Sequence, residues 1–105
     1  MKTFNEKVYE KLKLVPIGKV VAYKELAKSI SSNAYRAVGS AMKNNKNAPI
    51  IPCHRVIKSN GEIGGFCGKI SGKKIQEKIN LLKKEGVKVI NGKINKRYFY
   101  FFPKI

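Results

Sequence analysis

The stretch VVAYKELAKSISSNAYRAVGSAMK, residues 20–43, contains two short helical patterns separated by a polar turn. After the extended VVAY, the segment KELAKSI predicts one helix and AYRAVGSAMKN predicts a second. The intervening SSN offers residues that favour helix N-caps. Two short helices joined by a tight polar turn predict a helix-turn-helix, a motif that occurs both with and without DNA binding.

The second helix of this motif is rich in small residues: Ala34, Ala37, Gly39, Ser40 and Ala41. A face of small side chains lets a helix lie close against a nucleic-acid groove, and Arg36 would then extend from that face towards the DNA. The alternative is a helix that packs tightly on its neighbour inside the protein. The pattern is compatible with DNA binding without requiring it.

The flanking segments alternate between helical and extended patterns. TFNEKVYEKLKLV, residues 3–15, predicts a helix that begins with a capping box formed by Thr3 and Glu6. NNKNAPIIPCHRV, residues 44–56, predicts a loop that runs into a buried, strand-like segment. KKIQEKINLLKKEG, residues 73–86, predicts an amphipathic helix capped by its final glycine.

The last segment, VKVINGKINKRYFYFF at residues 87–102, predicts a β-hairpin that turns at Asn91-Gly92. No repeat or linker interrupts the 105 residues, so we expect one domain over residues 1–105. The predicted fold class is α+β. It is a small, helical, winged-helix-like domain with a helix-turn-helix and a C-terminal β-hairpin.

The charge balance is extreme, with 23 Lys and Arg against 6 Asp and Glu and a formal net charge of +17. Such self-repulsion favours a polyanionic partner, and nucleic acid is the natural candidate. The alternative is a lysine-rich composition that only keeps the protein soluble. No apolar run reaches about 18 residues, which predicts no membrane span. The absence of a signal peptide and the two cysteines predict an intracellular, cytoplasmic protein with free thiols, in the nucleoid or the nucleus according to the cell type.

The segment IPCHRVI, residues 51–57, sets Cys53 beside His54, which is the only histidine in the chain. A nearby imidazole or cation stabilises the thiolate that acts as a nucleophile. Adjacent side chains on an extended segment point to opposite faces, so a direct Cys–His bond is not assured, and a bridging water could connect the two. Glu85 is one of few acids and a candidate to orient the imidazole. The alternative is a buried, inert cysteine.

A metal site is disfavoured. Cys53, His54 and Cys67 make at most three ligands, and they lack the paired spacing of zinc motifs. We therefore expect no metal and no cofactor.

Five segments in order, GKVVAYKELA, RAVGSAMKNN, IPCHRVI, GEIGGF and LLKKEG, resemble the DNA-binding, catalytic domain of O6-alkylguanine-DNA alkyltransferases. This family is also called the methylated-DNA–protein-cysteine methyltransferases. The resemblance covers roughly residues 4–87. It implies a DNA repair protein that flips O6-alkylguanine, chiefly O6-methylguanine, out of duplex DNA. The alkyl group would pass irreversibly to a cysteine, so each molecule would act once.

The resemblance also implies roles for individual residues. Cys53 would accept the alkyl group, and His54 would take its proton through a water molecule. Glu85 would hold the histidine, and Asn45 would brace the active-site turn.

For DNA binding, Arg36 would enter the base stack where the damaged base leaves it. Tyr23 would crowd the target phosphate, with Lys24 beside it. Ser59 would form a hydrogen bond in the pocket loop. The remaining residues would form the helix face on the DNA (Ala34, Ala37, Ser40) and the base pocket (Val56, Gly64, Gly65, Phe66). The expected partner is double-stranded alkylated DNA, bound by a monomer in the minor groove without sequence preference.

Two features depart from the family pattern. Phe66 stands where the family usually has a tyrosine, so it can stack on the base but cannot donate a hydrogen bond to the departing guanine. Family members usually carry an additional N-terminal domain, and from the resemblance we expect this chain to consist of the catalytic domain without it. Cys67 is expected to be a bystander.

Two other functions compete with the enzyme. Alkyltransferase-like proteins bind O6-alkylguanine lesions without transferring anything, but they typically have tryptophan where Cys53 stands. A plain helix-turn-helix regulator has no need of the PCHRV segment.

Overall fold

The computed structural model describes residues 2–47, 50–66 and 72–103. Within these ranges the chain forms four α-helices and four two-residue strands. The elements are α1 (Phe4–Leu12), β1 (Val21–Ala22), α2 (Tyr23–Ser29), α3 (Tyr35–Lys43), β2 (Val56–Ile57), α4 (Lys73–Lys84), β3 (Val89–Ile90) and β4 (Lys93–Ile94). Two 3₁₀ turns, Cys53–Arg55 and Lys96–Tyr98, complete the order. The predicted α+β class is confirmed.

Helix α1 begins with the predicted capping box. The Thr3 hydroxyl accepts the N–H of Glu6 at 3.2 Å, and the Glu6 carboxylate accepts the N–H of Thr3 at 3.1 Å. Val8 and Leu12 are buried one turn apart. The apolar stripe of α1 therefore covers α2 and α3 from one side.

The backbone of the turn between α2 and α3 closes the end of α2, while the hydroxyl of Ser32 accepts the N–H of Ala34 at 2.9 Å just before α3. Ser31 adopts a left-handed φ of 57°, and the N–H groups of Ser31 and Ser32 donate to the carbonyls of Lys28 and Ala27. These two bonds close the C-terminus of α2. Helix α3 starts after Ala34 with no side-chain cap. The N-cap predicted from SSN is wrong because the backbone N–H groups of both serines bond to α2, which leaves Ala34 at the N-cap position of α3.

The small residues of α3 divide between two faces. Ala41 is buried with Val38 and Met42, and its carbonyl accepts a hydrogen bond from the Tyr9 hydroxyl at 2.6 Å. Ala34 and Ser40 are exposed on the other side of the helix. Close packing and an open outer face therefore coexist on one helix.

Strand β1 pairs in parallel with β2, with Val21 opposite Val56 and Ala22 opposite Ile57. The predicted strand-like segment is thus extended only at its end. Residues Cys53–Arg55 form a 3₁₀ turn instead, in which the N–H of Arg55 donates to the carbonyl of Pro52 at 2.9 Å. Because a 3₁₀ helix has about three residues per turn, neighbouring side chains there do not point to opposite faces, and that part of the prediction is wrong.

The C-terminal hairpin turns where it was predicted to turn. Asn91 and Gly92 both have positive φ, 52° and 72°, as a type I′ turn requires. The hairpin is short, and the chain continues through the 3₁₀ turn Lys96–Tyr98. Strand β4 approaches the loop after β2 so closely that a Cβ on Gly61 would lie 2.9 Å from the Ile94 carbonyl. Glycine is required at that position.

Two buried clusters form the core. One joins α1, α2 and α3 to Cys53, Val56 and Phe66. The other joins β2 and α4 to the hairpin through residues that include Ile57, Leu82 and Ile94. Nowhere in the described ranges is there a helix long and apolar enough to cross a membrane.

Candidate active site

Cys53 and His54 lie in the 3₁₀ turn, with only 4% and 1% of their surfaces exposed, and Cys53 belongs to the first core cluster. A side chain from the preceding loop, Asn45, fixes the position of this turn. Asn45 donates from its side-chain amide to the Ile51 carbonyl at 2.8 Å, and its Oδ1 accepts the N–H of Asn47 at 3.0 Å. Asn45 therefore lies where a residue that braces the cysteine turn has to lie.

Glu85 follows α4 and binds both residues that come after the cysteine. Its carboxylate lies 2.9 Å from His54 Nε2. The same carboxylate receives two hydrogen bonds from Arg55, at 2.9 and 2.7 Å, and Arg55 also donates to the Val15 carbonyl at 2.8 Å. The sequence prediction paired Glu85 with the histidine but missed Arg55, whose position directly after the PCH segment was the available signal.

The contact with Glu85 determines the tautomer of His54. A carboxylate only accepts hydrogen bonds, so Nε2 carries the proton and Nδ1 presents a lone pair. Within the described part of the chain, no group hydrogen-bonds to Nδ1, which is buried. The imidazole is therefore oriented at one nitrogen and able to accept a proton at the other.

The pKa values of this pair support that assignment. Burial lowers the pKa of His54 more than the Glu85 carboxylate raises it, so the imidazole is neutral at pH 7. Partial burial raises the pKa of Glu85, but the hydrogen bonds and charges of Arg55 and His54 outweigh it, and the pKa lies below its usual value. A neutral histidine beside an ionised glutamate is the arrangement that a general base needs.

These shifts predict that the protein loses stability in acid. Both groups bind fewer protons in the folded than in the unfolded state, so the free energy of unfolding should fall as the pH drops below 6.5, the ordinary pKa of histidine. Denaturant titrations above and below that pH would measure it. His54 is the only histidine, so His54→Gln should remove most of the change near pH 6. A free energy that rises on acidification would contradict the prediction.

Lys78 is a residue of the candidate site that the sequence prediction missed. It is fully buried on α4, and its Nζ donates to the carbonyls of Val56 at 2.7 Å, Gly65 at 2.9 Å and Ile63. Burial lowers its pKa to about 7, an effect that the nearby charge of Cys53 opposes. Lys78 thus ties the glycine loop, residues 63–65, to β2. Three acceptors around Nζ need the three N–H donors of the ammonium form, which places a positive charge close to the thiol.

A signal for Lys78 was present in the sequence. It lies on the same helical face as the predicted apolar residues Ile75, Ile79 and Leu82. A lysine within an apolar stripe is buried only when its ammonium finds acceptors. The three carbonyls, which come from two other segments, could not be read from the helix alone.

The predicted base-pocket residues gather around the same turn. Phe66, 7% exposed, belongs to the buried cluster that contains Cys53 and Val56. Gly64 has a φ of 70°, and the Tyr23 ring lies 3.5 Å from where its Cβ would be. Burial, followed by the charge of Cys53, raises the pKa of Tyr23. The glycine loop and the start of α2 therefore meet close to the cysteine, while Cys67 lies outside the described residues.

The predicted DNA contacts lie on the outer surface. Arg36 is the second residue of α3 and is exposed, as are Ala34 and Ser40, and Ala37 is half-buried between them. Lys24 and Ser59 are also exposed, and they line one cleft of about 280 Å³. The structure thus separates the buried Cys53 and His54 from an exposed surface that carries Arg36 and Lys24.

Comparison with known proteins agrees with this arrangement. The family model for the 6-O-methylguanine DNA methyltransferase, DNA binding domain, matches residues 3–87. The methylated-DNA–protein-cysteine methyltransferase of Thermococcus sibiricus is 49% identical over 86 residues, 81% of this chain and 45% of that protein. Its counterpart in Archaeoglobus fulgidus is 41% identical over 88 residues, 81% of this chain and 57% of that protein. The chain spans about half the length of these curated relatives.

Solved structures give the same result. S. pombe Atl1 in complex with damaged DNA containing O6-carboxymethylguanine superposes with a TM-score of 0.77 at 32% identity, covering 95% of this chain and 98% of Atl1. Mycobacterium tuberculosis OGT in complex with DNA gives 0.70 at 37% identity, covering 81% of this chain and 50% of that one. The resemblance recognised in the sequence is confirmed, and this chain belongs to the 6-O-methylguanine DNA methyltransferase family through its DNA-binding domain.

Proposed function

We propose that this protein repairs O6-alkylguanine, chiefly O6-methylguanine, in duplex DNA by transferring the alkyl group irreversibly to Cys53. The observation that carries the proposal is the contact of 2.9 Å between His54 and Glu85 in the turn that begins with Cys53. Because Glu85 binds Nε2, Nδ1 of the neutral His54 is available to accept the proton that Cys53, its neighbour in the chain, must lose. The names of the relatives support the same chemistry.

The proposed reaction is a displacement at the alkyl carbon. The Cys53 thiol gives its proton to His54 Nδ1 through a water molecule, and the buried ammonium of Lys78 favours the thiolate. The sulfur attacks the alkyl carbon, a C–S bond forms, and the C–O6 bond breaks. Guanine leaves as an anion and takes up the proton that the thiol lost. The thioether is permanent, so each molecule acts once and needs no cofactor or metal.

Access to O6 requires the base to leave the stack, because the atom is out of reach inside a duplex. Tyr23, Lys24 and Ser59 would hold the strand near the lesion, and Arg36 would occupy the gap. The base would then stack on Phe66 between Val56 and the loop of Gly64 and Gly65. The exposed Ala34 and Ser40 and the half-buried Ala37 present small side chains. They suit a monomer that binds the minor groove without sequence preference, in whichever compartment holds the DNA.

The mass of the protein tests this function. After incubation with duplex containing one O6-methylguanine, the intact protein should gain the mass of one methylene group, located on the peptide that contains Cys53. Undamaged duplex of the same sequence is the control and should add nothing. Binding to the lesion without any gain in mass would reject transfer.

Arg36→Ala is expected to slow repair of duplex substrates by roughly tenfold or more, because filling the gap lowers the cost of a flipped base, a few kcal/mol. The affinity for undamaged duplex should fall by no more than the loss of one contact between a cation and a phosphate would cause. Lys43→Ala, at the far end of the same helix, is the matched control. Repair by the Arg36 variant at the wild-type rate would exclude the proposed role.

A second candidate function is a lesion sensor that binds O6-alkylguanine without transfer. The match with Atl1 along nearly the whole of both chains favours it. Cys53 argues against it, because a sensor needs no thiol. Stable lesion binding with an unmodified Cys53 would select the sensor.

A further inference from the structure

The C-terminal segment, residues 88–103, follows the part of the chain that matches the family model. It carries four cations, Lys88, Lys93, Lys96 and Arg97, and no acidic residue. Neither the proposed chemistry nor the helix-turn-helix uses it.

This segment is fastened to the helix-turn-helix. The N–H of Val20 donates to the Tyr98 carbonyl at 2.8 Å, and the N–H of Tyr100 donates back to the Val20 carbonyl at 2.7 Å. Further along, the N–H of Phe102 donates to Glu25 Oε2 at 3.0 Å. The rings of Tyr100 and Phe102 pack edge-to-face, 5.2 Å apart, against the core. The segment therefore has a defined position beside α2.

Between α2 and this segment lies the cleft of about 280 Å³ that also borders Lys24 and Ser59. Lys28 comes from α2 and Lys96 from the C-terminal segment, and Phe99 and Phe101 form its apolar wall. Phe101 is 64% exposed, although its neighbours Tyr100 and Phe102 pack inwards. The one acid at the cleft, Glu25, is engaged by the N–H of Phe102.

We propose that this cleft binds the sugar–phosphate backbone of the DNA duplex, beyond the part that the helix-turn-helix contacts. The inference rests on the proposed function only in that the partner is duplex DNA. Three lysines match the charge of the phosphates, and the exposed Phe101 offers an apolar surface to the deoxyribose. Because Lys24 at the start of α2 belongs to both surfaces, one strand can pass from the helix-turn-helix into the cleft.

The test uses the full chain and an undamaged duplex, with affinity measured over a range of salt concentrations. Lys28→Ala with Lys96→Ala should weaken binding at physiological salt by about fivefold for each lysine and lower the log–log salt slope by about 0.9 for each. Lys7→Ala with Lys83→Ala removes the same charge from exposed sites on α1 and α4 and is the matched control, expected to show a much smaller change. Melting temperatures establish that the variants are folded.

Phe101→Ala tests the apolar contact with the deoxyribose without changing the charge of the cleft. It should weaken binding severalfold with an unchanged salt slope, and Phe101→Leu should recover part of the loss. Cleft variants that bind DNA like the lysine controls would overturn the proposal. So would unchanged DNA binding together with lost affinity for a poly-glutamate peptide, which would assign the cleft to an acidic protein partner.

The two proposals fail separately. If the wild type binds duplex and the cleft variants weaken it, but Cys53 gains no methyl group, the proposed transfer is wrong and the cleft assignment stands. If Cys53 is methylated and the cleft variants behave like the controls, only the cleft assignment is wrong.

Discussion

Cys53→Ala is expected to abolish methyl transfer and to leave duplex binding close to that of the wild type. The alkyl group would have no acceptor, whereas affinity comes from cations on phosphates at the surface. Cys53 is buried in the core, so the missing sulfur should also cost roughly 1 kcal/mol of stability. Intact mass after incubation with O6-methylguanine duplex measures the first effect, and anisotropy with labelled duplex measures the second.

Cys67→Ala is the matched control for this experiment, because Cys67 is the only other cysteine. It should gain the methyl group as the wild type does. An alanine variant of Cys53 that still gains the methyl group, or a Cys67 variant that does not, would move the acceptor to Cys67. Loss of DNA binding in Cys53→Ala with the fold intact would show that the thiol contributes to recognition.

Lys78→Met is expected to cause the largest loss of stability among single lysine substitutions. Methionine keeps the length of the side chain but leaves the three carbonyls without their donor. Each buried acceptor without a partner costs about 1–3 kcal/mol, partly offset because an ammonium is no longer buried. A net loss of about 3 kcal/mol is a large part of the 5–15 kcal/mol typical of a domain. The melting temperature should fall by about 10–20 °C.

The same substitution should slow transfer at temperatures where the variant remains folded. The glycine loop loses its tie to β2, and the thiolate loses a nearby cation. Lys84→Met, on the exposed side of the same helix, should stay within about 0.5 kcal/mol of the wild type and transfer normally. Equal melting temperatures and equal rates for Lys78→Met and Lys84→Met would contradict the role of Lys78.

Local features of the fold were predictable from the sequence. The capping box of Thr3 and Glu6 and the turn at Asn91-Gly92 depend on residues within a few positions of one another, and both are present. The two helices of the helix-turn-helix lie within one or two residues of their predicted bounds. The serines between them were misassigned because Ser and Asn suit both the end of one helix and the start of the next.

The sequence by itself determined the family, the helix-turn-helix, the hairpin turn and the pairing of His54 with Glu85 as an expectation. The tertiary structure decided that Cys53 begins a 3₁₀ turn, that Glu85 also binds Arg55, and that Lys78 is buried. The bonds of Glu85 to His54 and of Lys78 to Val56 span 31 and 22 positions of the chain. Such contacts form only when α4 packs against the cysteine turn. Local propensity decides helices and turns because their hydrogen bonds are local, whereas the environment of a buried charge depends on which distant carbonyls and carboxylates the packed fold brings to it.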